Sequence, residues 1–380
     1  MLTFRPYVCK CVKAPGPLEA RAAPRALPIS YNADSYSRVY NYPDLSTNTT
    51  QVIAVISLGG GLYPNDASTY WTSIGIPLAD QPKVVIIPLL GARNTPNAND
   101  GGATYENALD VQIIGANCAS AKTTILFYLA PNSFNGFYSA FNSAINNPVR
   151  VNGVRLRPSV ISCSWGAPEA NFGSANLSRF NTLFATAAAR NINICCASGD
   201  HGSSDGLQGL NLDFPSSSPN VVACGGTTLT APNLTWDAST NEVGWTGSGG
   251  GLSGTFPRPS YQTSLGFNAT RRASPDIAMN ADPYTGIRIR VNGRIYVFGG
   301  TSCVSPAMSA FIARTGTTKF VTPLLYATGP RTTTAGAYND ITAGYNGASP
   351  SSTTYRAGSG YDRVTGLGSI NGKGLKPFVV

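Results

Sequence analysis

The chain predicts an α/β fold built on a mostly parallel central sheet with helices on both faces. Three observations carry this. Apolar, β-branched runs of strand length are continuous rather than alternating, as in strands buried on both sides. Helix-like segments fall between these runs, and the runs end in glycines or small polar residues.

The first strand is "QVIAVISLGGG" from Gln51, closed by three glycines, and the second is "KVVIIPLLG" from Lys83. A polar loop, "GARNTPNANDGG", leads to a helix beginning near Tyr105 and running through "ENALDVQIIGANC". "TTILFYLAP" is the next strand, "NGFYSAFNSAIN" an amphipathic helix, "PSVISCSWG" a strand, "LSRFNTLFATAAARN" a helix and "INICCASGD" a strand. From about 207 to 300 the chain turns rich in glycine and proline, and "GGTSCVSPAMSAFIA" then reads as a turn entering a helix. In parallel sheets the ligand crevice lies beyond the carboxyl ends of the strands, where "SLGGG", "CSWG" and "ASGD" fall.

Composition narrows the class. With 380 residues and 42% hydrophobic content the chain buries a large core, and one large domain over 29–380 is expected after a flexible, basic arm over 1–28. Charged residues make up 12% against 41 glycines and 27 prolines, which describes a loop-rich globular protein rather than a helical bundle or a disordered tail. The net charge of +9 is scattered without a Lys/Arg run, so no nucleic-acid partner is expected. Only 18 residues are Asp or Glu, which leaves few carboxylates whose protonation unfolds the chain in acid. The longest apolar run, "VVIIPLL", is too short to span a membrane. The eight cysteines show no zinc spacing; several sit in strand-like runs as small buried hydrophobes, and one or two disulfides remain compatible with the spacing. Sequons at Asn48, Asn176, Asn233 and Asn268 permit glycosylation.

Candidate chemistry converges on Ser302. A serine needs a base, and the chain has one histidine, His201. Another source of basicity is Glu106 with Asp110, four residues apart and so on one helix face, at what the neighbouring Leu109, Val111, Ile113 and Ile114 suggest is a partly buried edge. Two close carboxylates share a proton, which leaves one group able to give and take protons in acid. Asp200 ends a buried strand at the crevice; it reads either as a turn cap or, protonated, as a donor to an oxyanion.

These motifs together resemble the sedolisins, serine-carboxyl peptidases of subtilisin-like fold. "GGTSCVSPAMSAFIA" is similar to the nucleophile turn, "ENALDVQIIG" to the Glu-x-x-x-Asp helix, "SCSWGAPE" to the Ser-Trp-Gly strand and "ASGDHGSSDG" to the oxyanion loop. "GSGGGLSGTFPRPSYQ" and "SPDIAMNADPYTGI" resemble the substrate-side segments, and the likeness runs in order over roughly 30–376. The resemblance implies Ser302 as nucleophile, Glu106 as general base and acid, Asp110 orienting it, and protonated Asp200 in the oxyanion hole. It implies substrate contacts at Ser164, Trp165, Gly166, Gly249, Gly250 and Gly251. It also implies one structural calcium ion near 338–372, held by the carboxylates of Asp340 and Asp362 and the carbonyls of Ile341, Gly358 and Gly360. Acid-acting cleavage of polypeptides by a monomer in an extracellular or lysosome-like compartment follows. A catalytically silent binding relative and a neutral, His201-dependent protease are the alternatives.

Three departures stand out. Ser57 occupies the place where some sedolisins carry a glutamate linked through the tryptophan kept here as Trp165. His201 stands where the family usually has serine, and a cation there would favour ionised Asp200. Only about 30 residues precede the catalytic region, where the family has a long prosegment.

Overall fold

The computed structural model describes residues 4–6, 9–10, 29–45, 50–97, 99–263, 265, 269–327, 336–348 and 353–380. Two short strands come from the arm, β1 (Arg5–Pro6) and β2 (Cys9–Lys10), and apart from these and Phe4 the arm before residue 29 lies outside the described residues. Then follow α1 (Ser35–Val39), β3 (Gln51–Leu58), α2 (Asp66–Ser73), β4 (Lys83–Pro88), α3 (Ala103–Asn117), β5 (Thr123–Ala130) and α4 (Phe134–Asn146). A hairpin of β6 (Val149–Val151) and β7 (Val154–Leu156) precedes β8 (Val160–Cys163), β9 (Trp165–Pro168), α5 (Ser174–Ala189) and β10 (Asn193–Ala197). The second half supplies β11 (Asp213–Phe214), β12 (Val222–Thr230), β13 (Asn241–Gly244), β14 (Gly251–Pro257), β15 (Arg271–Ser274) and β16 (Ile277–Asn280). It ends with β17 (Ile287–Val291), β18 (Arg294–Gly299), α6 (Val304–Thr315) and a tail of short strands and helices.

The central sheet has eight strands in the order β13-β12-β10-β8-β3-β5-β4, with β16 beside β12. All of its pairings are parallel except β12 with β13. The period-two alternation of a strand divides each run between two cores. On β3, Ile53 and Val55 join the core that includes α3 and α6, while Val52, Ala54, Ile56 and Leu58 join the one that includes α4 and α5. β5 divides the same way, with Ile125, Phe127 and Leu129 on one side and Leu126, Tyr128 and Ala130 on the other. A continuous apolar run is therefore what a two-faced sheet requires.

The turn-rich region after residue 207 holds eight strands between 213 and 299, most of them short. Glycine and proline obscure them in the sequence, because most are a few residues long and several leave the central sheet for small antiparallel pairs. The six cysteines whose side chains are described are buried and free. Among the described residues no helix is long and apolar enough to cross a membrane.

Candidate active site

Helix α3 is the keystone of the site. It starts two residues before the expected Tyr105, because Asp100 in the preceding loop accepts the Thr104 backbone N–H at 3.1 Å and the Thr104 hydroxyl at 2.6 Å. The helix is buried along nearly its whole length, so each polar side chain on it needs an internal partner. Asn107 bonds to Ser57, Gln112 to both backbone groups of Arg290, and Asn117 to the Ala33 carbonyl and the Ser37 N–H. Those contacts fix the helix against β3, β17 and α1, and thereby aim its two carboxylates.

Glu106 and Asp110 are both fully buried, deeper than the partly buried edge read from their neighbours. The apolar stripe of α3 indicates one buried face, whereas the fold also covers the face that bears the carboxylates. Glu106 Oε2 accepts the Ser302 hydroxyl at 2.8 Å, and Asp110 Oδ1 accepts the Ser164 hydroxyl at 2.7 Å. Glu106 Oε1 and Asp110 Oδ2 are buried without a hydrogen-bond partner among the described residues. Burial first, and for Glu106 the charge of Asp110 second, pushes both carboxyl groups well above the usual range. Two unsatisfied oxygens on coupled, buried carboxyls are the setting in which one proton is shared.

Ser302 sits in a single 3-10 turn, Thr301–Cys303, that runs into α6. Gly300 before it has φ of +112°, a conformation a side chain rarely adopts, and it makes the sharp entry into the turn. Thr301 ties this turn to the Asp200 loop: its N–H and hydroxyl donate to Asp200 Oδ1 at 2.8 and 2.9 Å, and its hydroxyl oxygen accepts the Gly199 N–H at 3.1 Å. Ser305, one helical turn on, binds the Cys195 carbonyl and accepts the Cys163 N–H, so α6 is registered on β8 and β10. Three separated segments thus meet at Ser302.

His201 is not the partner of this serine, whose hydroxyl donates to Glu106. Partial burial, then the positive Arg5, lowers the pKa of His201, so its cation forms at more acid pH than for a free imidazole. Trp165 is buried with no hydrogen-bond partner for its Nε1 among the described residues, and the Ser57 hydroxyl donates to Asn107.

A model of the subtilase family matches residues 121–320, more than half of the chain. The chain belongs to the subtilase family. Within it the sedolisin type is shown by its relatives. Kumamolisin of Bacillus sp. (strain MN-32) is 36% identical over 382 residues, covering 96% of this chain and 66% of kumamolisin. Sedolisin of Pseudomonas sp. (strain 101) is 27% identical over 376 residues, covering 92% of this chain and 61% of sedolisin. The chain therefore spans slightly under two thirds of the length of these relatives. The solved structure of Pseudomonas sedolisin, a serine-carboxyl proteinase complexed with two molecules of pseudo-iodotyrostatin, matches with a TM-score of 0.80 at 27% identity, over 93% of this chain and 99% of that one. The expected subtilisin-like fold is thereby established.

In this subtilase the glycines of the "GSGGG" segment lie in tight packing. A Cβ on Gly249 would fall 1.8 Å from the Ser198 carbonyl oxygen, and one on Gly250 would fall 2.1 Å from that of Arg363. Gly249 also donates its N–H to Gly199 and accepts the Ser198 hydroxyl, so it braces the loop that carries Asp200. Gly251 pairs with Ser274 at the start of β14. Trp165 and Gly166, by contrast, present a strand edge that pairs with β1.

The carboxy-terminal loop gathers the two expected ligand carboxylates on one glycine turn. Asp340 accepts the Gly360 N–H, and Asp362 accepts N–H groups from Gly358, Val364 and Thr365. Asp362 is pushed up to about 6, chiefly by burial. Hard carboxylate oxygens on an irregular backbone are donors that suit calcium.

Sequence reasoning missed one buried charge pair. Arg272 donates to Asp276 through both terminal nitrogens at 2.7 and 2.6 Å, and both side chains are fully buried. Asp276 also accepts from Tyr326 and from the Ala223 N–H. The "SPDI" segment resembled a substrate-side motif, yet this carboxylate fastens β12 to β15. The (i, i+4) spacing was the one available signal, and in a turn-rich stretch nothing marked it as buried.

Proposed function

We propose that this chain is a serine-carboxyl endopeptidase that hydrolyses polypeptides in acid. The observation that carries the reading is the 2.8 Å hydrogen bond from the Ser302 hydroxyl to Glu106, within a wholly buried carboxylate pair. A carboxylate there does what an imidazole does elsewhere. Glu106 takes the Ser302 proton as the oxygen attacks the peptide carbonyl, then returns it to the departing amine. Water next attacks the acyl-serine, again losing its proton to Glu106. Asp110, held by Ser164, keeps Glu106 in place and shares its proton.

Negative charge develops on the carbonyl oxygen. Protonated Asp200 and the Ser302 N–H are the proposed donors to it, and the Thr301 contacts hold Asp200 against the nucleophile turn. The substrate backbone would lie along Ser164–Trp165–Gly166, with Gly249, Gly250 and Gly251 supporting the opposite wall. The need for protons on Asp200 and on the carboxyl pair confines work to acid surroundings, outside the cell or in a lysosome-like compartment, and the chain acts as a monomer.

Two substitutions separate this reading from its rivals. Ser302→Ala is expected to lower kcat/KM by about 10⁴-fold or more, while His201→Ala changes it by less than about threefold, since no proton passes through the imidazole. Loss in both variants would restore the histidine mechanism, and no cleavage by any form would favour a silent relative.

For calcium, Asp340 and Asp362 with the carbonyls of Ile341, Gly358 and Gly360 are the proposed holders, and the ion supplies cross-linking of the tail rather than chemistry. Chelation is expected to lower the melting temperature, and added calcium to restore it in proportion to the logarithm of its concentration. A melting temperature indifferent to both would remove the ion from the account.

A further inference from the structure

Helix α2 covers the outer strand of the central sheet incompletely. β4 ends the strand order with only β5 beside it, and its Val84 and Ile86 are partly exposed where their partners on β5, Ile125 and Phe127, are fully buried. Between α2, β4 and α3 lies a cavity of about 540 Å³, a volume that holds one small molecule. Its apolar walls are Val84 and Ile86 of β4, Ala67 and Trp71 of α2, and Ala108 and Val111 of α3. Trp71 is a fixed wall: a Cβ on Gly115 would fall 2.0 Å from its ring, and its Nε1 donates to the Gln112 carbonyl at 3.1 Å.

Three amide side chains in the lining are already spent on the protein. Gln112 bonds both backbone groups of Arg290, Gln81 bonds Ser68 and Thr72, and Asn94 bonds both backbone groups of Leu62. Asp66, also in the lining and 9% exposed, is different. Its Oδ1 accepts the Gly293 N–H at 3.1 Å and has Arg290 Nε 3.5 Å away, beyond the length of a good hydrogen bond. Its Oδ2 is buried and has no hydrogen-bond partner among the described residues. A buried acceptor left in this state costs stability until a donor reaches it.

We infer that this cavity is a second ligand site, for a small apolar molecule that carries one neutral O–H or N–H donor, with Asp66 Oδ2 as the acceptor. Arg290 already supplies the counter-charge to Asp66, so the ligand brings a donor rather than a second cation. Asp66 also suits the first turn of α2, where a carboxylate meets the positive end of the helix dipole. That role accounts for its charge and leaves Oδ2 without a donor.

The site is separate from the catalytic one. Ala108, Val111 and Gln112 of its lining lie about 120–160° round α3 from Glu106, at the helical rotation of 3.6 residues per turn. The ligand therefore sits behind the helix whose other side holds the carboxylate pair. The inference goes beyond the proposed peptidase reading and does not depend on it.

Calorimetry on the full chain with indole and 1-methylindole tests it, since the two probes share a ring system and differ in the donor. The parent is expected to bind indole with a Kd below about 1 mM, and 1-methylindole at least about tenfold more weakly, the worth of one hydrogen bond to a carboxylate. Asp66→Asn keeps the Gly293 contact through its carbonyl oxygen and puts an amide nitrogen in place of Oδ2, so the preference for indole falls below about threefold. Ala67→Phe fills the cavity, and neither probe binds although the melting temperature stays at or above that of the parent. Glu106→Gln, on the other side of α3, leaves indole binding within about twofold. Should either pocket variant fail to fold, the comparison of the two probes on the parent still decides. Equal affinity for both probes, no binding of either, binding retained in folded Ala67→Phe, or binding lost in Glu106→Gln overturns the inference, and none of these results bears on whether the chain cleaves peptides.

Discussion

Glu106→Gln is expected to lower kcat/KM by about 10⁴-fold, the usual cost of removing the base from a serine nucleophile, while the protein folds at least as stably as the parent. The two halves of this result have one cause. Burial and the neighbouring Asp110 hold Glu106 well above its ordinary pKa, so the folded protein prefers its neutral form. An amide copies that neutral form in size and polarity and accepts the Ser302 hydroxyl through its carbonyl oxygen. It cannot take the proton. Chemical denaturation alongside kinetics checks both halves, and a variant that loses activity together with stability would reduce Glu106 to a packing residue.

Asp276→Asn is expected to have the largest effect on stability, a loss of about 3–5 kcal/mol in urea unfolding. Arg272 and Asp276 are both 0% exposed in their side chains, so the substitution leaves a guanidinium buried without its counter-charge. The pair also secures Tyr326 and the Ala223 N–H, which join the core of the sheet to the strands beside the carboxy-terminal loop. An exposed (i, i+4) pair provides the comparison. Arg38 is 54% exposed beside Asp34 at 3.8 Å, and Arg38→Ala is expected to change stability by under about 1 kcal/mol. Equal effects at the two sites would show that burial is not what sets the cost.

The sheet was legible in the sequence because its strands are covered on both faces and so spell continuous apolar runs, from "QVIAVISL" to "INICCA". The site was legible for a different reason: Glu106, Asp110, Asp200 and Ser302 each sit at an element boundary or on a marked helix face, and the motifs around them resemble one family in one order. What the sequence hid depends on partners distant along the chain. Asp276 reads as a loop aspartate until Arg272 and Tyr326 close around it. Arg5 reads as one charge in a basic arm, although it meets Asp205 two hundred residues away. The depth of Glu106 and Asp110 also escaped, since the hydrophobic pattern of α3 reports its apolar side and the cover over its polar side comes from Ser164 after β8 and the turn before α6. Most of the strands between 213 and 299 were too short and too rich in glycine to announce themselves.

The central claim is that a carboxylate pair in place of histidine activates Ser302, and the direct measurement is cleavage of an unfolded protein from pH 3 to 8 by the parent, Ser302→Ala and Glu106→Ala forms. Burial raises both carboxyl groups, so the pair keeps a proton through the acid range and loses it as pH rises. The account predicts an acid optimum, decline towards neutrality and no cleavage by either variant. An optimum near neutrality that survives Glu106→Ala and vanishes in His201→Ala would contradict it.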